Sequence, residues 1–158
     1  MSDALQETIV LANSSDWTER ARAVNALRDY DDPRAGAAIA RALHDKNLGV
    51  VEAGVAASMH KRMGMPILKS LMGDEDAAIF IGDLVADAAA PWFDDYLIRV
   101  LLDRGVSVDL RIAAAETLAS ILECRRALPA LREAAGQAGG LLATVAKREA
   151  AYLEAKAG

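Results

Sequence analysis

The sequence is short of most residue types that specialised chemistry needs. It holds one cysteine, two histidines and seven aromatic residues (two Trp, three Tyr, two Phe) in a chain of 158. A lone cysteine closes no internal disulfide, which sets aside the small bridged scaffold and suits a reducing, cytoplasmic setting. His44 and His60 stand 16 residues apart, and neither has a second ligand three or four positions away. No metal or cofactor is therefore expected, and both rings are read as helix-end residues, where a cation suits a C-terminus. No Ser-His-Asp set can be assembled, and Gly136-Gln-Ala-Gly139-Gly140 lacks the Lys-Ser/Thr of a phosphate loop. No catalytic residue is named; the chain is read as a non-enzyme. Hairpin signals such as Asn-Gly are missing, and aromatic strand formers are few, which disfavours a sheet. No apolar run approaches the roughly 18 residues of a membrane span. The opening MSDALQETIV has no basic region before an apolar run, so no signal peptide is read. With a net charge of -5 and no Lys/Arg cluster, nucleic acid is not expected as a partner.

What is present is Ala, Leu, Val and Ile, in a chain that is 53% hydrophobic. Apolar residues recur at spacings of three and four, the mark of helices with one buried face. The clearest stretch, Val106 to Ala135, reads as two such helices and a corner, with Leu110, Ala114, Leu118 and Leu122 on the first. Laid back over the chain, Leu27, Met59, Val85 and Leu118 take equivalent places. The interval is about 30 residues, as in stacked helical repeats. Corners follow at Asp31-Asp-Pro33, Gly64-Met-Pro66, Ala90-Pro91 and Glu123-Cys124, where proline and glycine are tolerated. One domain over residues 1–158 results, with units at 16–45, 47–73, 75–104 and 107–136 and end helices at 3–13 and 141–156. Ser15 or Asp16 is the expected N-cap of the second helix, with Glu19 placed to complete a capping box with Asp16. Arg20 and Arg111, at matching positions, are expected to reach a turn acid or a helix-end carbonyl. Trp17 is expected to staple the first helix to the second. Met59, Met63, Met65 and Met72 are read as plastic core filler.

Asp16-Trp-Thr-Glu-Arg20, then Ala23, Ala26 and Leu27, then the Asp32-Pro33 corner, resembles a HEAT repeat. The short unit is most similar to the HEAT-like repeats of the bilin-lyase type found widely in bacterial proteins. The likeness covers roughly residues 16–136 and is weaker in units two and three, where Glu52 and Ala78 replace the arginine. It implies an all-α, right-handed α-solenoid of about four helix pairs plus end helices, about ten helices, in an armadillo-like arrangement. It also implies that the second helix of each pair lines a concave side.

One region stands apart. From Ser70 to Ile98 there is no Lys or Arg, while Asp74, Glu75, Asp76, Asp83, Asp87, Asp94 and Asp95 are present. Four of the seven aromatics, Phe80, Trp92, Phe93 and Tyr96, share the stretch. Helical spacing puts Asp76, Phe80, Asp83 and Asp87 on one stripe, with Phe80 level with Arg22 and facing solvent. It puts Phe93, Leu97 and Leu101 on the core line of the next helix and Trp92, Asp95, Tyr96 and Arg99 on another side. Exposed aromatics flanked by acids suit a basic or Arg-containing segment. The plainer reading is that Trp92 covers the corner, Tyr96 fills a gap and the acids are a solvated face. Cys124 is read as a structural thiol; as a nucleophile it would need Arg125 and Arg126 to lower its pKa.

The resulting expectation is a monomeric, non-catalytic scaffold: an adaptor, assembly factor or inhibitor that binds a protein through its third repeat. The site residues are Trp92, Asp95, Tyr96, Arg99, Phe80, Asp83 and Asp87. From the family likeness alone comes an alternative, a chromophore (bilin) lyase or isomerase using Asp94 or Asp95 near Trp92 and Tyr96. A HEAT-fold DNA-lesion binder is a remoter one, disfavoured by the acidic balance.

Overall fold

A computed structural model describes residues 3–137 and 139–157; Ala138, in the connector at 136–140, lies outside them. Among the described residues there is no strand, and ten α-helices follow one another. They are α1 (Ala4–Leu11), α2 (Trp17–Leu27), α3 (Pro33–Ala42), α4 (Leu48–His60), α5 (Gly64–Ser70), α6 (Glu75–Ala88), α7 (Pro91–Leu102), α8 (Val108–Glu116), α9 (Leu128–Gln137) and α10 (Gly140–Ala157). No helix among the described residues is long and apolar enough to cross a membrane.

The helices start where capping chemistry allows. Asp16, Asp32 and Asn47 each accept the N–H two residues on, and Ser107 accepts that of Leu110. The expected capping box at α2 does not form. Ser14 intervenes: its hydroxyl donates to Glu19 and its oxygen takes the N–H of Asp16, so Glu19 has no orphan donor to reach for.

The chain divides into two compact units, Met1–Leu84 and Val85–Gly158, with the boundary inside α6. In the first, α1 packs on α2 and α3, α2 on α3 and α4, and α4 on α3 and α5. Leu5, Val24, Leu27, Ile39 and Val50 fill its core, with Ile9, Tyr30 and Met63 packed against them. Gly54 sits in the middle of α4 despite its poor helix propensity. A Cβ there would lie 3.1 Å from the Ala42 Cβ, so the glycine lets α4 press close to the end of α3. Met72, read as filler, is instead 44% exposed, because it lies past the end of α5.

In the second unit α7 packs on α8 and α9, and α10 on α8 and α9. Phe93, Leu97, Leu101, Leu118, Leu131 and Leu153 are its large buried side chains. Ala114, Ala115, Ala127 and Ala146 are fully enclosed among them. After α8 the chain loosens into a π-turn over Thr117–Ile121 before the corner. A short 3-10 turn, Arg125–Ala127, then leads into α9, with Pro129 in its first turn.

Three corners turn on a non-glycine residue with positive φ: Arg62 at 56°, Ala89 at 45° and Glu123 at 47°. At the first, the N–H of Arg62 reaches the Met59 carbonyl and that of Met63 reaches Ser58, a Schellman closure. The chain therefore reverses at Lys61–Met63, ahead of the expected Gly64-Met-Pro66, and Pro66 rides in the first turn of α5. Ala89 is exposed, so its backbone strain has no contact to offset it. Ala89→Gly is expected to raise stability by about 0.5–1 kcal/mol. Urea unfolding measures this; a loss of stability would contradict the assigned conformation.

Candidate functional site

The site residues fall mainly on α7, whose first turn is built by Pro91. Its fixed φ suits that position, and its missing N–H leaves no intrahelical bond unmade. Phe93 points inward and is 1% exposed. Trp92 meets it edge-on, with ring centroids 5.5 Å apart. Tyr96, one turn further, stacks nearly parallel to it at 6.2 Å. The buried ring thus anchors two half-buried ones, and part of each outer ring remains in contact with water. Burial raises the Tyr96 phenol above its ordinary value, against the opposing pull of Arg99, so the hydroxyl stays protonated at neutral pH.

The acids beside these rings are already engaged. Arg126, from the turn before α9, hydrogen-bonds Asp95 through one amino group and lies 3.6 Å from Asp94 through the other. Both Asp95 and Arg126 are about half exposed, at 51% and 52%. Asp94 is more enclosed and also faces the Cys124 thiol. Burial first, and Asp94 second, push that thiol above its ordinary value; Arg126 opposes them and loses. The buried thiol fits the structural reading of Cys124, and the alternative, activation by neighbouring arginines, fails because Arg126 is turned to the carboxylates. Iodoacetamide at neutral pH is expected to label native Cys124 slowly and the urea-unfolded chain much faster. Equal rates would show an accessible thiolate.

The other predicted residues separate from this cluster. Arg99 is exposed on α7, and Asp87 is exposed near the end of α6; Asp87 takes part in no ion pair among the described residues. Asp83, likewise exposed, and Phe80 belong to the first unit. Phe80 does not face solvent as expected but is half-buried, whereas the equivalent Arg22 is exposed. Trp17 also departs from expectation. Its indole lies over Gly49, where a Cβ would come within 2.7 Å of the ring, and it remains 47% exposed.

Arg20 and Arg111 both do what their shared position suggests. Arg20 grips the Asp45 carboxylate with two bonds of 3.0 Å and donates to the Ser14 and Ser15 carbonyls. Arg111 donates to the Leu101 carbonyl at 2.9 Å, at the end of α7. Arg126 was missed. The available signal was the spacing, since Arg126 follows Asp95 by 31 residues, close to the interval expected from the sequence. Among the described residues no group of three or more His, Cys, Asp and Glu side chains is placed to hold a metal ion.

No protein-family model matches the chain, and no curated protein sequence is significantly similar to it.

Proposed function

We propose that the protein is a non-catalytic interaction module, built from HEAT-like helix pairs, that holds a basic segment of a partner protein on the face of α7. Two regularities support the repeat architecture. In each unit a helix packs on the one two places later: α1 on α3, α2 on α4, α7 on α9 and α8 on α10. Five long-range side-chain bonds also recur near one interval, although Arg20 to Asp45 spans 25 residues and Arg132 to Glu154 spans 22. Arg34 to Asp3, Lys61 to Tyr30 and Arg126 to Asp95 all span 31 residues, Ser120 to Glu149 spans 29 and Arg148 to Glu116 spans 32. Stacked units of about that length produce such bonds, because equivalent residues of neighbours face each other.

The binding reading is carried by one observation: two half-buried rings on a rigid buried ring, beside a carboxylate pair occupied by an arginine. Arg126 occupies these carboxylates with the protein's own guanidinium. A partner's arginine or lysine competes for Asp95, while Trp92 and Tyr96 supply apolar area and a cation–π face. Affinity purification with wild type and with Trp92→Ala/Tyr96→Ala, side by side, tests this. Proteins retained by wild type and lost from the variant, at equal melting temperature, are the expected result. Identical captures would remove α7 from the interface.

A further inference from the structure

A second surface lies wholly within the first unit. At the ends where α3 meets α4 and α5 meets α6, a cavity of about 370 Å³ opens to solvent. Leu43, Leu48 and Ala77 supply its apolar lining. Leu48 is 52% exposed although it is the first residue of α4, a position that places no demand for an apolar side chain. Its neighbour Gly49 carries the exposed indole of Trp17. Leu48 thus offers exposed apolar surface at the cavity, and the exposed Trp17 ring lies against the next residue along α4.

Charge narrows what this surface can accept. Asp45, on the rim, is neutralised by Arg20. Asp74 and Asp76 also line the cavity; Asp74 caps Ala77, and Asp76 takes part in no ion pair among the described residues. Against these stands Lys46. Glu75, exposed between Asp74 and Asp76 in the chain, adds a further acid next to this lining. The rim is net acidic over an apolar lining.

We infer that this surface is a docking site for a short peptide segment in which an aliphatic or aromatic side chain is flanked by lysine or arginine. The apolar anchor enters against Leu48 and Ala77, its flank packs on the Trp17 ring, and the basic neighbour meets Asp76. A polyanionic or acidic segment is excluded by the same rim. This surface is independent of the α7 face, since none of its residues belongs to that cluster.

Selection of a random peptide display library on the full chain tests the inference. Enriched peptides are expected to share an apolar residue flanked by basic ones. Leu48→Glu should weaken them by at least about tenfold, and Asp76→Lys should weaken them in proportion to their positive charge. Neither substitution disturbs the core, since Leu48 and Asp76 are exposed; a carboxylate at the start of α4 even suits the helix dipole. Equal melting temperatures check this. Failure to enrich any peptide, enrichment of acidic ones, or binding indifferent to both substitutions overturns the inference. Peptides lost only from Trp92→Ala/Tyr96→Ala also overturn it, while upholding the α7 reading; peptides lost only from Leu48→Glu do the reverse.

Discussion

Phe93→Ala is expected to destabilise the protein by about 3–5 kcal/mol, near the upper end for a single core truncation. Phe93 is 1% exposed and among the largest fully enclosed side chains, on a helix that packs against both α8 and α9. Those helices are held by their own contacts with α10 and cannot fully collapse into the space the ring leaves. The cost therefore includes a cavity as well as lost burial. A second consequence is local. Trp92 and Tyr96 both lean on this ring, so removing it frees them to reorient. Phe93→Leu separates the two effects: it keeps most of the volume and should cost well under the alanine variant. It still loses both ring contacts, so near-UV dichroism of the tryptophan and tyrosine should weaken while far-UV dichroism stays helical. Urea unfolding supplies the stability and near-UV dichroism the ring order. An alanine variant within about 1 kcal/mol of wild type would contradict the placement of Phe93 in the core.

Arg20→Ala is the other large effect, a fall in melting temperature on the order of 10 °C. The side chains of Arg20 and Asp45 are only 10% and 15% exposed, and the guanidinium makes four hydrogen bonds. Removing it strands a shielded carboxylate and leaves the Ser14 and Ser15 carbonyls without that donor. Replacing both partners, as Arg20→Met/Asp45→Leu, should recover part of the loss, because no shielded charge is then left alone. The pair also has a pH signature. Burial acts to raise the Asp45 carboxyl, but the bonds from Arg20 and the Asn47 N–H outweigh it and hold it below the ordinary carboxylate value. A carboxyl depressed on folding contributes stability that is full above its unfolded value and vanishes as pH falls through its folded one. The advantage of wild type over Arg20→Ala should therefore shrink in acid. A difference independent of pH would show that the pair is not the cause.

The helical architecture was legible because alanine and leucine periodicity, with proline and glycine confined to breaks, leaves little else possible. Asp16 and Ser107 announced two helix starts, and the matched arginines announced their partners: a turn acid for Arg20, a helix-end carbonyl for Arg111. Other features depend on facts that periodicity does not carry. The corner at Arg62 turns on a left-handed residue that no glycine marks. Trp17 chose Gly49 because a missing Cβ left room for an indole, a vacancy visible only once α2 and α4 lie together. The acidic, cation-free stretch of the sequence keeps its exposed acids on α6, but Asp94 and Asp95 on α7 are met in space by Arg126. Reading charge along one segment misses a cation supplied from 31 residues further on. The aromatic half of the site was visible as spacing; how deeply its rings sit depends on the neighbouring helices.

Calorimetric titration of a captured partner tests the α7 surface most directly, using wild type, Trp92→Ala/Tyr96→Ala and Arg126→Gln. The double variant should bind at least tenfold more weakly, a loss of about 2 kcal/mol or more. Arg126→Gln, which removes the internal competitor for Asp95, should bind more tightly, and the gain should fade at high salt. Three indistinguishable affinities, or a weaker Arg126→Gln, would contradict a surface that holds a partner's cation where Arg126 now sits.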